Sequence, residues 1–344
     1  MIQVGIVGFG TIGKRLADAV DRQPDMVVAG VAKRSQDHAA MLANRRGYPL
    51  FSTDGEETLS TGTATIAGDV ADLVEACDVV VDATPAGYGA QNRQLYEMNG
   101  TPAIYQGGED AAIAETSFVA EANYGDARNA NSTRVVSCNT TGLTRLLGPL
   151  DDQFGVERAQ VTLVRRGGDP AQPDRGPIDD IVPDPVTIPS HHGPDLGTVL
   201  PDVPITTMAM KVPTTVMHLH AVQIRLERDV HESTVRELLA DRPRVVVVPG
   251  EASIAGCAGL RELARDAGRP RGDLPENGIW DESITVDGRN LYCFQGIHQE
   301  SIVVPENVDA IRALDGDTDA ETSMERTNST LELGLDLADR KVPA

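Results

Sequence analysis

Ile2-Gln3-Val4-Gly5-Ile6-Val7-Gly8-Phe9-Gly10-Thr11-Ile12-Gly13-Lys14-Arg15-Leu16-Ala17-Asp18-Ala19-Val20 opens the chain and decides its fold. Ile2, Val4, Ile6 and Val7 make a short strand, Lys14 to Val20 reads as a helix, and Val27 to Val31 supplies a second strand. Strand, glycine turn, helix, strand is the order of a dinucleotide-binding unit. Gly8 permits the tight turn, Gly10 lets the backbone approach a pyrophosphate, and Gly13 lets helix and strand pack closely. The first N–H groups of the helix are then available to the anion. A glycine-tightened turn with no ligand is the alternative.

Working outward, Val79 to Ala83, Ala103 to Tyr105 and Arg134 to Ser137 read as further strands, each stopping at small, polar or glycine residues. Asp69 to Ala76 and Gln91 to Asn99 read as connecting helices. The first domain therefore covers residues 1–137. At the end of the second strand, Val31-Ala32-Lys33-Arg34-Ser35 places positive charge where an NAD-selective unit has Asp or Glu on the ribose 2′-hydroxyl. Asp37 comes too late for that role. Lys33 and Arg34 suit a 2′-phosphate, so NADP should be accepted well, with NAD also used.

The second half changes texture. Val156 to Arg166 is a long strand, Gly167 to Pro204 is a Pro/Gly/Asp-rich segment that wraps a site or an interface, and Val212 to Leu226 and Arg244 to Val248 are extended. A mixed-sheet α/β domain over 138–300 is expected. Glu306 to Leu314 and Leu331 to Leu337 read as helices, and 301–344 is expected to pack back on the first domain.

Arg134-Val135-Val136-Ser137-Cys138-Asn139-Thr140-Thr141-Gly142-Leu143 runs from strand through small polar residues into an amphipathic helix. Cys138 stands at the helix start, where N–H groups and dipole favour a thiolate over a thiol of pKa about 8.5. The same amides could hold the oxygen of a tetrahedral adduct. Cys77, Cys257 and Cys293 read as core fillers. In Met217-His218-Leu219-His220-Ala221, strand alternation puts both histidines on one face with Val222, Ile224 and Leu226. One of them suits a general base and acid; His218 is preferred, though spacing does not choose between them. No Cys, Asp or Glu stands nearby at ligand spacing, so no metal is expected. Arg165-Arg166, at a strand end, and Ser190-His191-His192-Gly193 suggest anion recognition; neighbours in a strand point oppositely, so one arginine faces the site.

Composition bounds the rest. The 344 residues carry 52 acidic against 30 basic side chains, a formal −22, and only Lys14, Lys33, Lys211 and Lys341 are lysines. Such a surface repels nucleic acid and anionic lipid. Its self-repulsion is tolerable in concentrated salt, where the Debye length is about 3 Å at 1 M. Acid-rich and lysine-poor together resemble a cytoplasmic protein of a salt-accumulating microbe. No run approaches the roughly 20 apolar residues of a spanning helix, and Met1 to Gly8 does not read as a signal peptide.

These stretches resemble the archaeal type of phosphorylating glyceraldehyde-3-phosphate dehydrogenase. The resemblance rests on Val4 to Gly13, Tyr105-Gln106-Gly107-Gly108-Glu109, Ser137 to Leu143, Ser190 to Asp195 and His298-Gln299-Glu300-Ser301. It implies a Rossmann domain and a catalytic α/β domain in a homotetramer, with Cys138 as nucleophile and His218 as base. It implies that Thr11, Ile12, Gly108, Arg166 and Gln299 line NAD or NADP. It also implies that Ser137, Asn139, His191 and His192, with Thr140 beside them, line glyceraldehyde 3-phosphate, which is oxidised with inorganic phosphate. A semialdehyde or N-acetyl-glutamyl-phosphate reductase using the same Cys/His chemistry is the nearest rival. A non-catalytic NADP-binding regulator is a rival of another class.

Overall fold

The computed structural model describes residues 1–53, 64–106, 108–168 and 176–335. The chain divides into two compact units: Met1–Ser137 with Val303–Leu331, and Cys138–Ile302 with the residues from Glu332 onward.

In the first unit, eight described strands form one sheet: β1 (Ile2–Val7), β2 (Met26–Lys33), β3 (Leu50–Ser52), β4 (Gly68–Asp69), β5 (Val79–Asp82), β6 (Ala103–Gln106), β7 (Thr116–Phe118) and β8 (Ser132–Val135). Their order is β4-β3-β2-β1-β5-β6-β8-β7 and every pairing is parallel. Continuous apolar runs such as Val79-Val80-Val81 are buried throughout, as a parallel sheet covered on both faces requires. The winding reverses at β1, which lies between β2 and β5; ligand crevices in such sheets open beyond the strand ends at that reversal. The Gly8–Gly13 turn leaves β1 there. Helices α1 (Thr11–Val20), α2 (His38–Arg45), α3 (Val70–Glu75), α4 (Tyr88–Asn99) and the short α5 (Ala120–Asn123) connect the strands. Asp37 caps α2, accepting from the N–H groups of Ala39 and Ala40 at 2.9 and 3.1 Å.

The second unit is built on β9 (Val156–Arg166), β10 (Val182–Pro183), β11 (Ile205–Val212), β12 (His218–Leu226), β13 (Val245–Val248), β14 (Asn277–Trp280), β15 (Thr285–Asp287) and β16 (Asn290–Ile297). The order β10-β11-β9-β12-β16-β14-β13, with β15 on β16, mixes parallel β11–β9 and β13–β14 pairs with antiparallel ones. Helices α6 (Cys138–Phe154), α7 (His192–Leu196), α8 (Glu232–Ala240) and α9 (Cys257–Asp266) accompany it.

Three expectations differ from the structure. The run 212–226 is not one strand: Val212 ends β11, Pro213 lacks an N–H to continue a ladder, and Met217 sits at φ 37° before β12 begins. The helix expected over 331–337 is also absent from its described part, because Glu332 and Gly334 adopt φ 54° and 83°; residues 336 and 337 lie outside the described residues. The α6 helix differs from an amphipathic one, being buried at every position from Cys138 to Leu147.

After Ile302 the chain re-enters the first unit with α10 (Val304–Asp315) and α11 (Ala320–Thr330). Arg312 of α10 is fully buried and donates to Gln23 at 2.6 Å and to both carboxylate oxygens of Asp25 at 2.8 Å. Ser323 and Thr327 of α11 donate to Asp309 at 2.7 and 2.6 Å. Burial opposes ionisation of Asp25, yet Arg312 and Arg326 hold its carboxyl down to about 2. Leu335, by contrast, packs with Met217, Val246 and Leu260 of the second unit. No described helix is long and apolar enough to cross a membrane.

Candidate active site

The glycine turn shows three different constraints. Gly8 has φ +97°, and a Cβ there would lie 2.7 Å from the Ala83 backbone. A Cβ on Gly13 would lie 2.1 Å from the carbonyl oxygen of Gly8, so only glycine allows α1 to start so close to β1. Gly10 differs: a Cβ there meets nothing within 4 Å, which leaves open space over the turn. Gly10 is also the N-cap residue of α1 and makes no side-chain cap to the first-turn N–H groups. Open space beside uncapped amides fits a dinucleotide pyrophosphate. At the end of β2, Lys33 is paired with Asp37 at 3.1 Å, and Arg34 lies 5.7 Å from the Tyr88 ring centroid and donates to its hydroxyl at 3.1 Å. Gly108 follows β6, and a Cβ on it would approach Ala86 to 3.3 Å.

In the second unit Cys138 is the first residue of α6 and is 9% exposed. Burial pushes its thiol up to about 11, while Arg165, Arg166 and the Asn139 main-chain N–H pull it down and Glu300 pushes it up again. The helix start alone does not leave a resting thiolate. Desolvation outweighs the combined pull of Arg165, Arg166 and the Asn139 N–H.

The two arginines take different carboxylate partners, yet both act on Cys138 and His218, so the expectation that only one faces the site does not hold. Arg165 binds Asp184, which also pairs with Lys211 at 3.2 Å. Arg166 is buried against Glu300 and donates to Gln299 through Nε. Glu300 in turn lies 3.2 Å from His298 Nε2, and His298 Nδ1 accepts from the Leu274 N–H at 3.1 Å and the Ser301 hydroxyl at 2.6 Å. The sequence reading named Gln299 and passed over Glu300. A carboxylate beside an arginine-rich strand end was the available signal.

His218 and His220 share the buried face of β12 but do different things. His218 Nδ1 accepts the main-chain N–H of Arg166 at 3.0 Å, so the neutral ring carries its proton on Nε2. That Nε2 is buried and has no hydrogen-bond partner. Accepting a proton there requires the Arg166 contact to give way. His220 has both nitrogens engaged, with Gln295 at 3.0 Å and Asn139 at 2.9 Å. Burial, reinforced by Arg165, holds His218 well below the usual imidazole range and brings His220 down to about 3.

The structure joins several substrate-side candidates directly. Asn139 lies 3.1 Å from His192 Nε2, and His192, brought to about 2 by burial and by the charges of His191 and Arg165, stacks 3.9 Å from the exposed ring of His191. Thr140 instead donates to Asp195, and Ser137 is half-buried just before Cys138. Gln295 and Asn277, which complete the polar group under α6, escaped the sequence reading. Gln295 falls on the inward face of β16 among Leu291, Cys293 and Ile297, and a lone amide in an apolar alternation is the signal that marks it.

Comparison with known proteins gives first the class and then the family. The chain matches the solved structure of aspartate semialdehyde dehydrogenase II from Vibrio cholerae with a TM-score of 0.66 at 13% identity, covering 92% of this chain and 98% of that one. At that identity the likeness is one of fold. Residues 137–261 match the family model described as glyceraldehyde 3-phosphate dehydrogenase, C-terminal domain. The chain is 57% identical over 333 residues to glyceraldehyde-3-phosphate dehydrogenase of Halobacterium salinarum, covering 96% of this chain and 99% of that one. It is 58% identical to that of Haloarcula marismortui, covering 98% and 96% respectively, and 50% identical to that of Methanoregula boonei, covering 96% and 97%. The chain belongs to the glyceraldehyde-3-phosphate dehydrogenase family.

Proposed function

We propose that this protein is a phosphorylating oxidoreductase that converts D-glyceraldehyde 3-phosphate, inorganic phosphate and NAD(P)+ reversibly to 1,3-bisphosphoglycerate and NAD(P)H. The observation that carries the reading is a cysteine at the first turn of a buried helix, in the field of two arginines, within a chain 57% identical to a named relative over nearly its whole length. The Cys138 thiol gives its proton to His218 as the Arg166 contact yields, its sulfur bonds to the aldehyde carbon, and the carbonyl π electrons move onto oxygen. The Nε2–H of His218 is the donor suited to that oxyanion. A bound nicotinamide supplies the hydride acceptor that turns the adduct into a thioester. Phosphate then attacks the thioester carbonyl, the carbon–sulfur bond breaks, and the thiolate leaves. Asn139, Thr140, His191, His192 and Arg165 are assigned to the phosphorylated substrate. Arg166 and Gln299, with Gly8 to Gly13 and Gly108, are assigned to the cofactor.

We infer further that NADP is accepted well, alongside NAD. Lys33 and Arg34 at the end of β2 support this, although Asp37 already engages Lys33. Lys33→Asp should raise the Michaelis constant for NADP more than that for NAD, and equal effects would remove Lys33 from the 2′-phosphate. A homotetramer is supported by the outward face of the second sheet. Met208, Thr162, Ala221 and Phe294 stand in register across four strands, and Met208 and Phe294 are 43% and 47% exposed.

The deciding experiment is a steady-state assay in high salt with glyceraldehyde 3-phosphate, phosphate and each cofactor. Phosphate-dependent NAD(P)H formation is expected. Turnover confined to an amino-acid-derived semialdehyde or acyl phosphate would overturn the assignment.

A further inference from the structure

We propose that His220 is a positioning residue: a hydrogen-bonded relay of fixed direction passes from Asn277 through Gln295, His220, Asn139 and His192 to Ser190 and Thr207, and it orients the Asn139 side chain next to Cys138. All seven members are buried.

The direction is set from the Asn277 end, and the Ser190–Thr207 end accommodates it. At one end, the main-chain carbonyl of Gly142 accepts from Asn277 Nδ2 at 2.7 Å, and a carbonyl can only accept. The same Nδ2 donates its other hydrogen to Gln295 Oε1 at 2.9 Å. Gln295 therefore presents Nε2 to His220 Nδ1, and the His220 proton sits on Nε2, directed at Asn139 Oδ1. From Asn139 onward, its Nδ2 faces His192 Nε2, so the His192 proton sits on Nδ1 and is directed at the Ser190 hydroxyl at 3.1 Å. Ser190 can then donate to Thr207 Oγ1 at 2.8 Å, and the Thr207 hydroxyl to the Ser190 carbonyl at 3.1 Å, while the Gly193 N–H donates to Thr207 Oγ1 at 3.0 Å.

Asn139 thus has one amide orientation: oxygen toward His220, nitrogen toward His192. The two histidines are locked as opposite neutral tautomers. A protonated His220 would turn an N–H onto the Gln295 N–H and break the relay. His220 thus has no nitrogen left for proton transfer, which separates it from His218, whose Nε2 is unengaged.

The functional half of this inference rests on the proposed assignment of Asn139 and His192 to the substrate; the tautomers do not. Nitrogen-15 NMR of the imidazole rings in the substrate-free, full-length protein, with His220→Gln and His192→Gln identifying the signals, should place the proton on Nε2 of His220 and on Nδ1 of His192. A shared tautomer, or a charged ring at neutral pH, overturns the relay. In the phosphate-dependent reaction, His220→Ala should lower kcat/KM about tenfold when Asn139 is present and less than about twofold in an Asn139→Ala background. His220→Gln, which keeps a donor at similar depth, should recover most of the loss. The same factor in both backgrounds, or no recovery, would make His220 merely structural. If glyceraldehyde 3-phosphate is not turned over at all, the proposed reaction fails, and the ring tautomers still decide the relay.

Discussion

The Gly8–Gly13 turn and the buried side-chain cluster around Cys138 offer opposite kinds of polar surroundings. The turn uses backbone alone: amides without side-chain caps, open space over Gly10, and glycines where one methyl group would collide. The cluster uses side chains, with Arg165, Arg166, Glu300, Asn139, His192, His218 and His220 drawn from several elements and mostly buried. A backbone site is intolerant of added volume and indifferent to titration. A side-chain site is sensitive to lost atoms and to pH, because burial fixes the protonation states on which its hydrogen bonds depend.

Four measurements can break or sharpen this contrast. Cys138→Ser should reduce turnover by about 10⁴-fold or more while leaving NAD(P) affinity unchanged, since it removes the proposed nucleophile and touches nothing in the turn. Substantial remaining turnover would move the nucleophile elsewhere. Next comes acid stability. His192, His218 and His220 are held neutral with depressed pKa values, so the stability they confer is fully present above about 6.5 and is lost as pH falls below it. The loss should approach about 1.4 kcal/mol per pH unit for each histidine, as the unfolded chain takes up protons that the folded chain refuses. Trp280, the only tryptophan, lies in the second unit and reports its unfolding by fluorescence. An unchanged Trp280 midpoint between pH 7 and pH 5 in high salt would refute the neutral-histidine account. Third, Gly13→Ala should cost about 1–3 kcal/mol by overpacking, visible in thermal unfolding. Gly10→Ala should change stability by less than about 0.5 kcal/mol yet weaken dinucleotide binding, because its methyl group enters only the open space. Equal behaviour of the two variants would remove the distinction between a packing glycine and a ligand glycine.

The turn was legible because its meaning is local: strand, glycines and helix lie within consecutive residues, and each glycine's role follows from chain geometry. Cys138 and the histidine pair were visible for the same reason. What periodicity did not reveal was which histidine had a nitrogen to spare, because that depends on Gln295, Asn139 and the Arg166 main chain, all distant from His220 or His218 in sequence. The α11 helix was missed for a different reason. Its buried face is Ser323 and Thr327 bonded to Asp309, so it carries no apolar stripe, and only the Asp319 cap on the Thr322 N–H marks its start. Likewise Val212 to Leu226 looked continuous because β-branched composition masks the interruption at Pro213.

The interrupted first unit has a consequence for how the protein is made. The carboxylate of Asp25 emerges from the ribosome early, but its partners Arg312 and Arg326 follow only after Cys138–Ile302 have been synthesised. At about 5–20 residues per second, that stretch occupies roughly ten to thirty seconds of translation. For that interval the nascent dinucleotide-type sheet lacks α10 and α11, so the second unit has time to mature before the first can close.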